Sequence, residues 1–290
     1  MDSEKCRALL CTIETGSLSA AAEQLGYTPS GVSRMMAALE QETGFPLLVR
    51  SRSGVEPTAE CEQMLPVIRE LAHWGALYDQ HAAALRGLET GVITVGSAYS
   101  ACYDWLSQTI AQFSAAHPGI EVRVLQGSST YLYTALAEHR ADFCIVSHRE
   151  GNFEWLPLWH DPLVAWLPRN HSRANEPTFP LRAFETEPYI ETFPAQDTDN
   201  ERAFAQNGIT PNMRHTTIDT HATYALVEAG LGVSLSNALV SREWDTSGIA
   251  VLPVDPPQYV DIGIAAPRSN DISPAAKRFL EFARKRLPVL

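Results

Sequence analysis

The stretch 16–58 places the tightest constraint on how this chain folds. Two helical patterns lie inside it, over 19–25 and 29–43, with a short break between them. Gly26 permits the positive φ that ends a helix, and the hydroxyl of Thr28 caps the helix that follows. Two short helices joined in this way are typical of a helix-turn-helix.

The second helical pattern divides into an apolar face and a face of small polar side chains. Short side chains permit close approach to the major groove, and arginine bonds guanine edges or phosphates. We therefore predict a recognition helix, with a plain solvated face as the alternative interpretation. The predicted contacts are Thr28, Pro29, Ser30, Ser33 and Arg34.

The segment 45–58 indicates a short strand, a tight basic turn and a return, which predicts a wing that meets phosphate. Its predicted contacts are Arg50, Arg52 and Ser53. The first 60 residues hold five basic and eight acidic side chains, and the whole chain carries a formal net charge of -12. Because phosphate attraction needs basic residues, binding must rest on these focused contacts.

The segment 59–89 predicts a long helix with apolar or small residues spaced alternately four and three apart. Such a heptad seam indicates helix pairing in a dimer, with packing on the helix's own domain as the alternative. The predicted seam consists of Met64, Ile68, Leu71, Gly75, Tyr78, Ala82 and Leu85.

From about residue 90 onward strands and helices alternate, which predicts parallel sheets. Two such sets, closed by a basic helix over 274–286, indicate two α/β lobes: 90–160 with 266–290, and 161–265. Ligands gather at strand carboxyl ends and helix N-termini in such sheets. The predicted pocket residues are Ser97, Ala98, Ser100, Ser128, Ser129, Thr130, Ser147, Thr192, Phe193 and Thr220.

Each of these hydroxyls is also explained as a helix cap, so their clustering at equivalent strand ends carries the argument. Six aromatic side chains near the same ends favour an aromatic or flat apolar ligand, with a carboxylate bound by backbone amides, hydroxyls or Arg149. Core packing explains these aromatic side chains equally well. They are Tyr99, Tyr103, Trp105, Tyr131, Phe153 and Phe193.

The N-terminal residues resemble the DNA-binding domain of LysR-type transcriptional regulators. The motifs that carry the resemblance are Gly16-Ser17-Leu18-Ser19, Ala21-Ala22, Leu25, Thr28-Pro29-Ser30, Val32-Ser33-Arg34, Leu39-Glu40, Gly44, Leu47, Arg50 and Thr58. Leu48, Met35 and Cys61 depart from the family pattern. Met35 stands where glutamine is frequent, so no amide contact to adenine is carried over.

The resemblance extends over essentially the whole chain and implies an α+β multidomain fold. Its parts are a winged helix-turn-helix over 1–58, a linker and dimerisation helix over 59–89, and an effector domain over 90–290 that is similar to periplasmic binding proteins. The implied partners are double-stranded DNA with a dyad-symmetric operator, a small-molecule effector and further copies of the chain as homodimer or homotetramer. RNA polymerase is a candidate partner.

Other classes fit the sequence less well. The chain shows no apolar run long enough for a membrane span and no secretion signal, and its five cysteines are scattered, so we expect a cytoplasmic protein without membrane contact. It contains no GxSxG, HExxH, GxxxxGK[ST] or GxGxxG motif, so we expect neither enzyme activity nor a cofactor or metal. A thiol-based redox regulator that uses Cys102 and Cys144 is the alternative function. A transport receptor is disfavoured by the missing signal peptide.

Overall fold

A computed structural model describes residues 2–51, 54–243, 245–268 and 271–286. The side chains of Arg50 and Glu243 also lie outside the description. The chain divides into two compact units, one that ends at Thr90 and one that begins at Gly91. Within the described residues, every helix is too short or too polar to cross a membrane.

The N-terminal unit contains four helices and one hairpin. They are α1 (Ser3–Thr15), α2 (Leu18–Leu25), α3 (Pro29–Thr43), β1 (Leu48–Ser51), β2 (Gly54–Pro57) and α4 (Ala59–Leu85). Each of the first three helices ends at a glycine with positive φ, namely Gly16, Gly26 and Gly44. This arrangement confirms the predicted winged helix-turn-helix followed by a long helix.

The core of this unit joins α1, α3, the hairpin and α4. Leu9, Leu39, Leu47 and Ile68 are fully buried in one cluster. Helix α1 packs along α4 closely enough that a Cβ added at Gly75 would lie 2.3 Å from the side chain of Ser3. The small size of Gly75 therefore serves packing within this unit.

The second unit begins with alternating strands and helices and continues through a long strand. Its helices are α5 (Tyr103–Ala116), α6 (Ser129–Ala137), α7 (Asp199–Gln206), α8 (Thr220–Glu228), α9 (Ala238–Glu243) and α10 (Pro274–Arg284). Its strands are β3 (Gly91–Ser97), β4 (Ile120–Gln126), β5 (Phe143–Ser147), β6 (Glu154–Pro168), β7 (Phe179–Pro180), β8 (Tyr189–Thr192), β9 (Met213–Thr217), β10 (Ser234–Asn237), β11 (Ile249–Asp255) and β12 (Tyr259–Ala266).

The main sheet of this unit is mixed, whereas the sequence pattern indicated parallel pairing. Its strand order is β4-β3-β5-β12-β6-β11-β7, and β10 also pairs with β6. Strand β3 is parallel to β4 and β5, but β12 is antiparallel to both β5 and β6. The antiparallel strands arise because the chain crosses between the lobes twice, once in each direction.

The two lobes share the long strand β6. Its first part pairs with β12, and its last part, from Leu163 to Pro168, pairs with β10 and β11. Lobe I contains β3–β5 with α5, α6 and α10, and lobe II contains β7–β11 with α7–α9. Since β12 pairs with β5 from Ile262 onward, the chain has returned to lobe I by Ile262, before 266.

Candidate functional site

The recognition helix α3 presents an exposed polar start. Thr28 caps the helix by accepting a hydrogen bond from the amide of Gly31 at 3.1 Å, and Pro29 occupies the first turn. Thr28, Pro29, Ser30 and Arg34 are exposed, whereas Ser33 is half-buried. In the part of the chain that the structure describes, the Arg34 guanidinium makes neither a hydrogen bond nor an ion pair, so its donors face solvent.

The wing hairpin is attached to the helices at both ends of its strands. Glu40 of α3 accepts hydrogen bonds from the amides of Leu47 and Leu48, at 2.9 and 3.3 Å. The amide of Val55 donates to the carbonyl of Gly16 at 2.8 Å. Arg50 lies in β1, paired with Val55 through the backbone, while the predicted contacts Arg52 and Ser53 lie outside the described residues.

Gly54 of the wing packs against the backbone of the turn after α1. Its φ is 133°, and a Cβ there would lie 2.8 Å from the backbone oxygen of Gly16. We expect Gly54→Ala to destabilise the wing by about 1–3 kcal/mol, since the clash is with backbone and the φ value disfavours side chains.

Thermal unfolding and DNA titration of the full chain measure this effect, and affinity for a target site should fall about tenfold as the wing shifts. Gly208→Ala is the control because Gly208 also has a positive φ, of 62°, but open space around it. Unchanged DNA affinity in Gly54→Ala would contradict the expected role of the wing.

The predicted seam of α4 is divided between two faces. Ile68 is fully buried and Met64 partly buried in the core of the N-terminal unit, and Gly75 packs on α1. The other large seam residues, Leu71, Tyr78 and Leu85, are 39%, 74% and 91% exposed. The exposed apolar row of α4 comprises Val67, Leu71, Trp74, Tyr78 and Leu85.

This row follows the heptad spacing of the predicted seam, but it is displaced around the helix toward solvent. Trp74 is 47% exposed and donates a hydrogen bond from its indole nitrogen to Glu70 at 2.9 Å. An aromatic and aliphatic stripe of this kind on an outer helix face is the typical mark of an interaction surface.

A cavity of about 90 Å³ lies between the two lobes of the second unit. Of the ten predicted pocket residues, seven line it: Ala98, Ser100, Ser128, Ser129, Thr192, Phe193 and Thr220. The structure adds eight more: Tyr99, Thr198, Asp199, Asn200, Leu235, Ser236, Asn237 and Val240. Strand ends and helix N-termini from both lobes therefore meet at one place.

The other three predicted pocket residues support the cavity from outside. Ser97 and Ser147 are buried, and the amide of Ser147 donates to the hydroxyl of Ser129 at 3.0 Å. Thr130 hydrogen-bonds to Asp197 across the lobes, at 3.2 Å. The Ser97 hydroxyl donates to the carbonyl of Tyr99 at 3.1 Å, so Ser97 and the Ser147 amide hold the strand ends, and Thr130 holds the lobe contact, while none of the three residues lines the cavity.

Two of the six aromatic candidates, Tyr99 and Phe193, line the cavity. Phe193 adopts a positive φ of 60°, which is uncommon for a side chain of that size, and its amide donates to Thr217 at 2.8 Å. The remaining aromatics pack elsewhere: Tyr103 and Trp105 on the main core, Phe153 on Tyr133, and Tyr131 beside Arg140.

An ion pair crosses the cavity edge. Asp199, at the start of α7 in lobe II, accepts a hydrogen bond from Arg149 at 2.9 Å and another from the Tyr99 hydroxyl at 2.7 Å. Both Arg149 and Asp199 side chains are 13% exposed. Burial, together with the negative charge of Asp199, holds the pKa of Tyr99 well above its usual value, so Tyr99 stays protonated and donates.

The sequence contains a helix-start motif at 198–201, which marks cavity residues that were not among the predicted pocket residues. Thr198 and Glu201 form a capping box, with the Thr198 hydroxyl accepting from the Glu201 amide at 3.2 Å and the Glu201 carboxylate accepting from the Thr198 amide at 3.0 Å. A Thr-x-x-Glu motif predicts a helix start at this position. Helix α7 therefore begins at Asp199, two residues earlier than its apolar pattern indicated.

Metal and thiol chemistry have little support here. Within 2–51, 54–243, 245–268 and 271–286, no group of three or more metal-ligating side chains comes together. Cys102 and Cys144 are both buried. Burial raises the pKa of Cys144 to about 12, which keeps its thiol protonated and weakly nucleophilic.

A winged helix-turn-helix with an exposed recognition helix, joined to a separate two-lobed α/β domain with a central cavity, defines a helix-turn-helix DNA-binding regulator. The family described as "Bacterial regulatory helix-turn-helix protein, lysR family" matches residues 3–62. The family described as "LysR substrate binding domain" matches residues 86–288. The chain belongs to the LysR family of transcriptional regulators, which bind DNA and carry an effector-binding domain.

Two relatives are similar to nearly the whole of this chain, and a third is similar to about two thirds of it. The uncharacterized HTH-type transcriptional regulator YvbU of Bacillus subtilis (strain 168) is 27% identical over 274 residues, which cover 94% of each chain. The structure of full-length CbnR complexed with its target DNA is similar, with a TM-score of 0.63 at 22% identity over 99% of this chain and 100% of that one. The effector-binding domain of QuiR in complex with shikimate has a TM-score of 0.56 at 25% identity over 68% of this chain and 97% of that one.

Proposed function

We propose that this regulator reads a dyad-symmetric operator through the start of α3 and clamps the adjacent phosphates with its wing. The observation that carries the proposal is the exposed, unengaged guanidinium of Arg34 beside the exposed Thr28, Pro29 and Ser30. CbnR, a relative by fold, has been determined with its target DNA. In this assignment Ser33 and Arg34 contact the DNA major groove. Arg50, Arg52 and Ser53 contact the phosphates of the DNA backbone.

Footprinting of the full chain on the DNA beside its own gene tests this assignment. We expect a protected dyad-symmetric site, and we expect Arg34→Ala to weaken binding about tenfold to a hundredfold, as for loss of a charged hydrogen-bond donor. Arg34→Lys separates two roles, because a phosphate contact survives in lysine whereas a bidentate guanine contact does not.

Arg182→Ala is the matched control, since Arg182 is exposed and lies in the second unit, where it pairs with Glu185 at 3.7 Å. The affinity of this variant should match that of the wild type. Equal binding by Arg34→Ala and Arg182→Ala would remove Arg34 from the interface.

The exposed row of α4 is the proposed dimer contact. Val67, Leu71, Trp74, Tyr78 and Leu85 form an apolar row with heptad spacing, of the kind that pairs helices. Two copies joined in this way present two recognition helices to one operator, and further pairing of dimers gives the proposed homotetramer. The predicted seam residues Met64, Ile68 and Gly75 lie on the inner face of α4, where they pack within the N-terminal unit.

The inter-lobe cavity is the proposed effector site, and 1–58, 59–89 and 90–290 are the proposed functional divisions. QuiR, a relative by fold, holds shikimate in its effector-binding domain. A ligand that contacts both lobes favours one lobe arrangement over another, and this preference would pass to the spacing of the DNA-binding units. RNA polymerase is the proposed partner at the regulated promoter.

A small-molecule effector fits this chain better than thiol oxidation. Cys144 is fully buried with its pKa raised to about 12, and Cys102 is 2% exposed. Redox-active cysteines are accessible and have lowered pKa values, so both thiols are poorly suited to peroxide sensing. We also propose that the protein acts in the cytoplasm, where the chromosome lies, and that it performs no enzymatic reaction.

A further inference from the structure

The inter-lobe cavity combines small size with two ends of opposite preference. Its volume of about 90 Å³ is enough for several water molecules, since a cavity must offer at least roughly 10–15 Å³ to hold one. A ligand that fills it is therefore a small metabolite with few non-hydrogen atoms. Its charge pattern follows from the helices and side chains that meet at the cavity.

The end of the cavity in lobe I favours an anion. Four helix N-termini reach the lining, but three of them already have an acid at their start: Asp199 in the first turn of α7, Asp219 as the cap of α8, and Asp161, which accepts a hydrogen bond from the amide of Leu239 in α9. Helix α6 differs, because its cap is the neutral Ser128 and its first turn has no acidic residue. Asp197 of lobe II accepts a hydrogen bond from Thr130 in this first turn, at 3.2 Å, but it also pairs with Arg202, so the partial positive charge at the start of α6 is only partly offset.

Hydroxyls beside the start of α6 add hydrogen-bond donors to this end. The Ser100 hydroxyl oxygen is buried, and among the described residues it has no hydrogen-bond partner. The Ser129 hydroxyl already accepts from the amide of Ser147, which leaves its own proton to donate. A ligand carboxylate placed here would receive both hydroxyl bonds together with the helix dipole.

The end of the cavity in lobe II favours a cation. Asp199 is the one side chain with a formal charge among the described residues that line the cavity. Arg149 and Tyr99 each donate one hydrogen bond to its two oxygens, and each carboxylate oxygen can accept two. Acceptor sites therefore remain on Asp199, and a bare carboxylate placed beside them would meet a like charge.

We propose that the effector is a small zwitterion of the α-amino acid class. Its carboxylate lies at the start of α6 with Ser100 and Ser129, and its ammonium group donates to Asp199. Because the first group belongs to lobe I and the second to lobe II, the ligand adds a polar bridge across the cavity beside the existing pair of Arg149 and Asp199. This inference rests on the proposed effector site and specifies the chemistry that the site selects.

Thermal unfolding and calorimetric titration of the full chain with matched small molecules test the proposal. The probes are alanine, serine, valine, threonine and leucine as L-amino acids, each compared with the carboxylic acid that lacks its amino group and with the amine that lacks its carboxylate. We expect at least one amino acid to raise the unfolding temperature and to bind at least about tenfold tighter than both of its truncated analogues, the usual effect of a charge-assisted bond.

Asp199→Asn should reduce the preference for that amino acid over its deaminated acid about tenfold. Glu121→Gln is the control, since Glu121 is an exposed carboxylate paired with Arg123 on the surface of lobe I, and it should retain the preference. The comparison of ligands on the wild-type chain needs no variant, so a folding defect in Asp199→Asn leaves the test intact.

A carboxylic acid that binds as tightly as its amino acid would overturn the zwitterion while leaving the effector site in place. Failure of every amino acid in the panel would also overturn it. A different result would show that the cavity is not the effector site. In that case a variant such as Thr192→Trp, whose larger side chain fills the cavity, would leave the regulation of DNA binding unchanged.

Discussion

Replacing both Trp74 and Tyr78 with lysine is expected to convert the regulator to monomers and to weaken operator binding at least about a hundredfold. The two side chains are 47% and 74% exposed on the apolar row of α4, so their removal costs little within one chain. Joining two DNA-binding units makes the second contact intramolecular, which raises affinity by about 10²–10⁴. Analytical ultracentrifugation measures the assembly, and titration of a full operator and a half-site measures the loss.

Lysine makes this test stringent because it adds positive charge, which by itself strengthens binding to phosphate. The control is the pair Glu62→Lys and Ala84→Lys, exposed positions of α4 off the apolar row that gain still more positive charge. The control should remain dimeric with unreduced affinity. A dimeric Trp74→Lys/Tyr78→Lys variant with full operator affinity would show that another surface joins the chains.

The sequence predicted the N-terminal unit nearly residue by residue because its signals are local. Helix α3 begins and ends where expected, at Pro29 and Thr43, and the Thr28 cap and the Gly26 and Gly44 stops act within a few residues of themselves. The division of the α4 seam was harder to predict. The heptad spacing is present, but which of two adjacent stripes faces α1 depends on a tertiary contact, that of Gly75 with Ser3.

The second unit was predicted as two α/β lobes, yet half of its longest strand had no clear signal, and neither had β7, α9 and β11. Strand β6 spans 15 residues, of which only 163–167 read as an apolar strand. Its first half has only exposed and partly buried positions up to His160 and contains Pro157, so its pairing with β12 depends on a partner about 100 residues away. Non-local pairing of this kind leaves little trace in local sequence patterns.

The cavity was predicted mainly from hydroxyls at strand ends, and five of those hydroxyl residues line it together with the predicted Ala98 and Phe193. Its most informative residue, Asp199, was missed because its meaning depends on Arg149 and Tyr99, which lie about 50 and 100 residues earlier in the chain. A carboxylate in a helix first turn is an ordinary stabilising feature when considered alone. Only the fold shows that this one faces an inter-lobe cavity and is held by the opposite lobe.

Glu191→Gln is expected to remove a large part of the alkaline loss of stability from the second unit. Glu191 lies on β8 and is 3% exposed, and burial raises its pKa to about 7. A carboxyl whose folded pKa is raised contributes its full stability below the unfolded value, and that contribution is lost as the pH rises through the folded pKa. Between about pH 5 and about pH 8 the wild type should therefore lose about 2.5 kcal/mol through this group.

Urea unfolding of wild type and variant at both pH values measures the effect. The amide group that the Glu191→Gln substitution introduces is an extra buried donor with its own cost, but this cost is the same at both pH values and cancels when the changes with pH are compared. Asp142, whose pKa burial raises to about 6, is present in both proteins and cancels as well. Glu176→Gln, at an exposed carboxylate paired with Arg173, is the control and should keep the wild-type pH dependence. A Glu191→Gln profile parallel to that of the wild type would mean that Glu191 folds in its ionised form, which would require water or a cation beside its buried carboxylate.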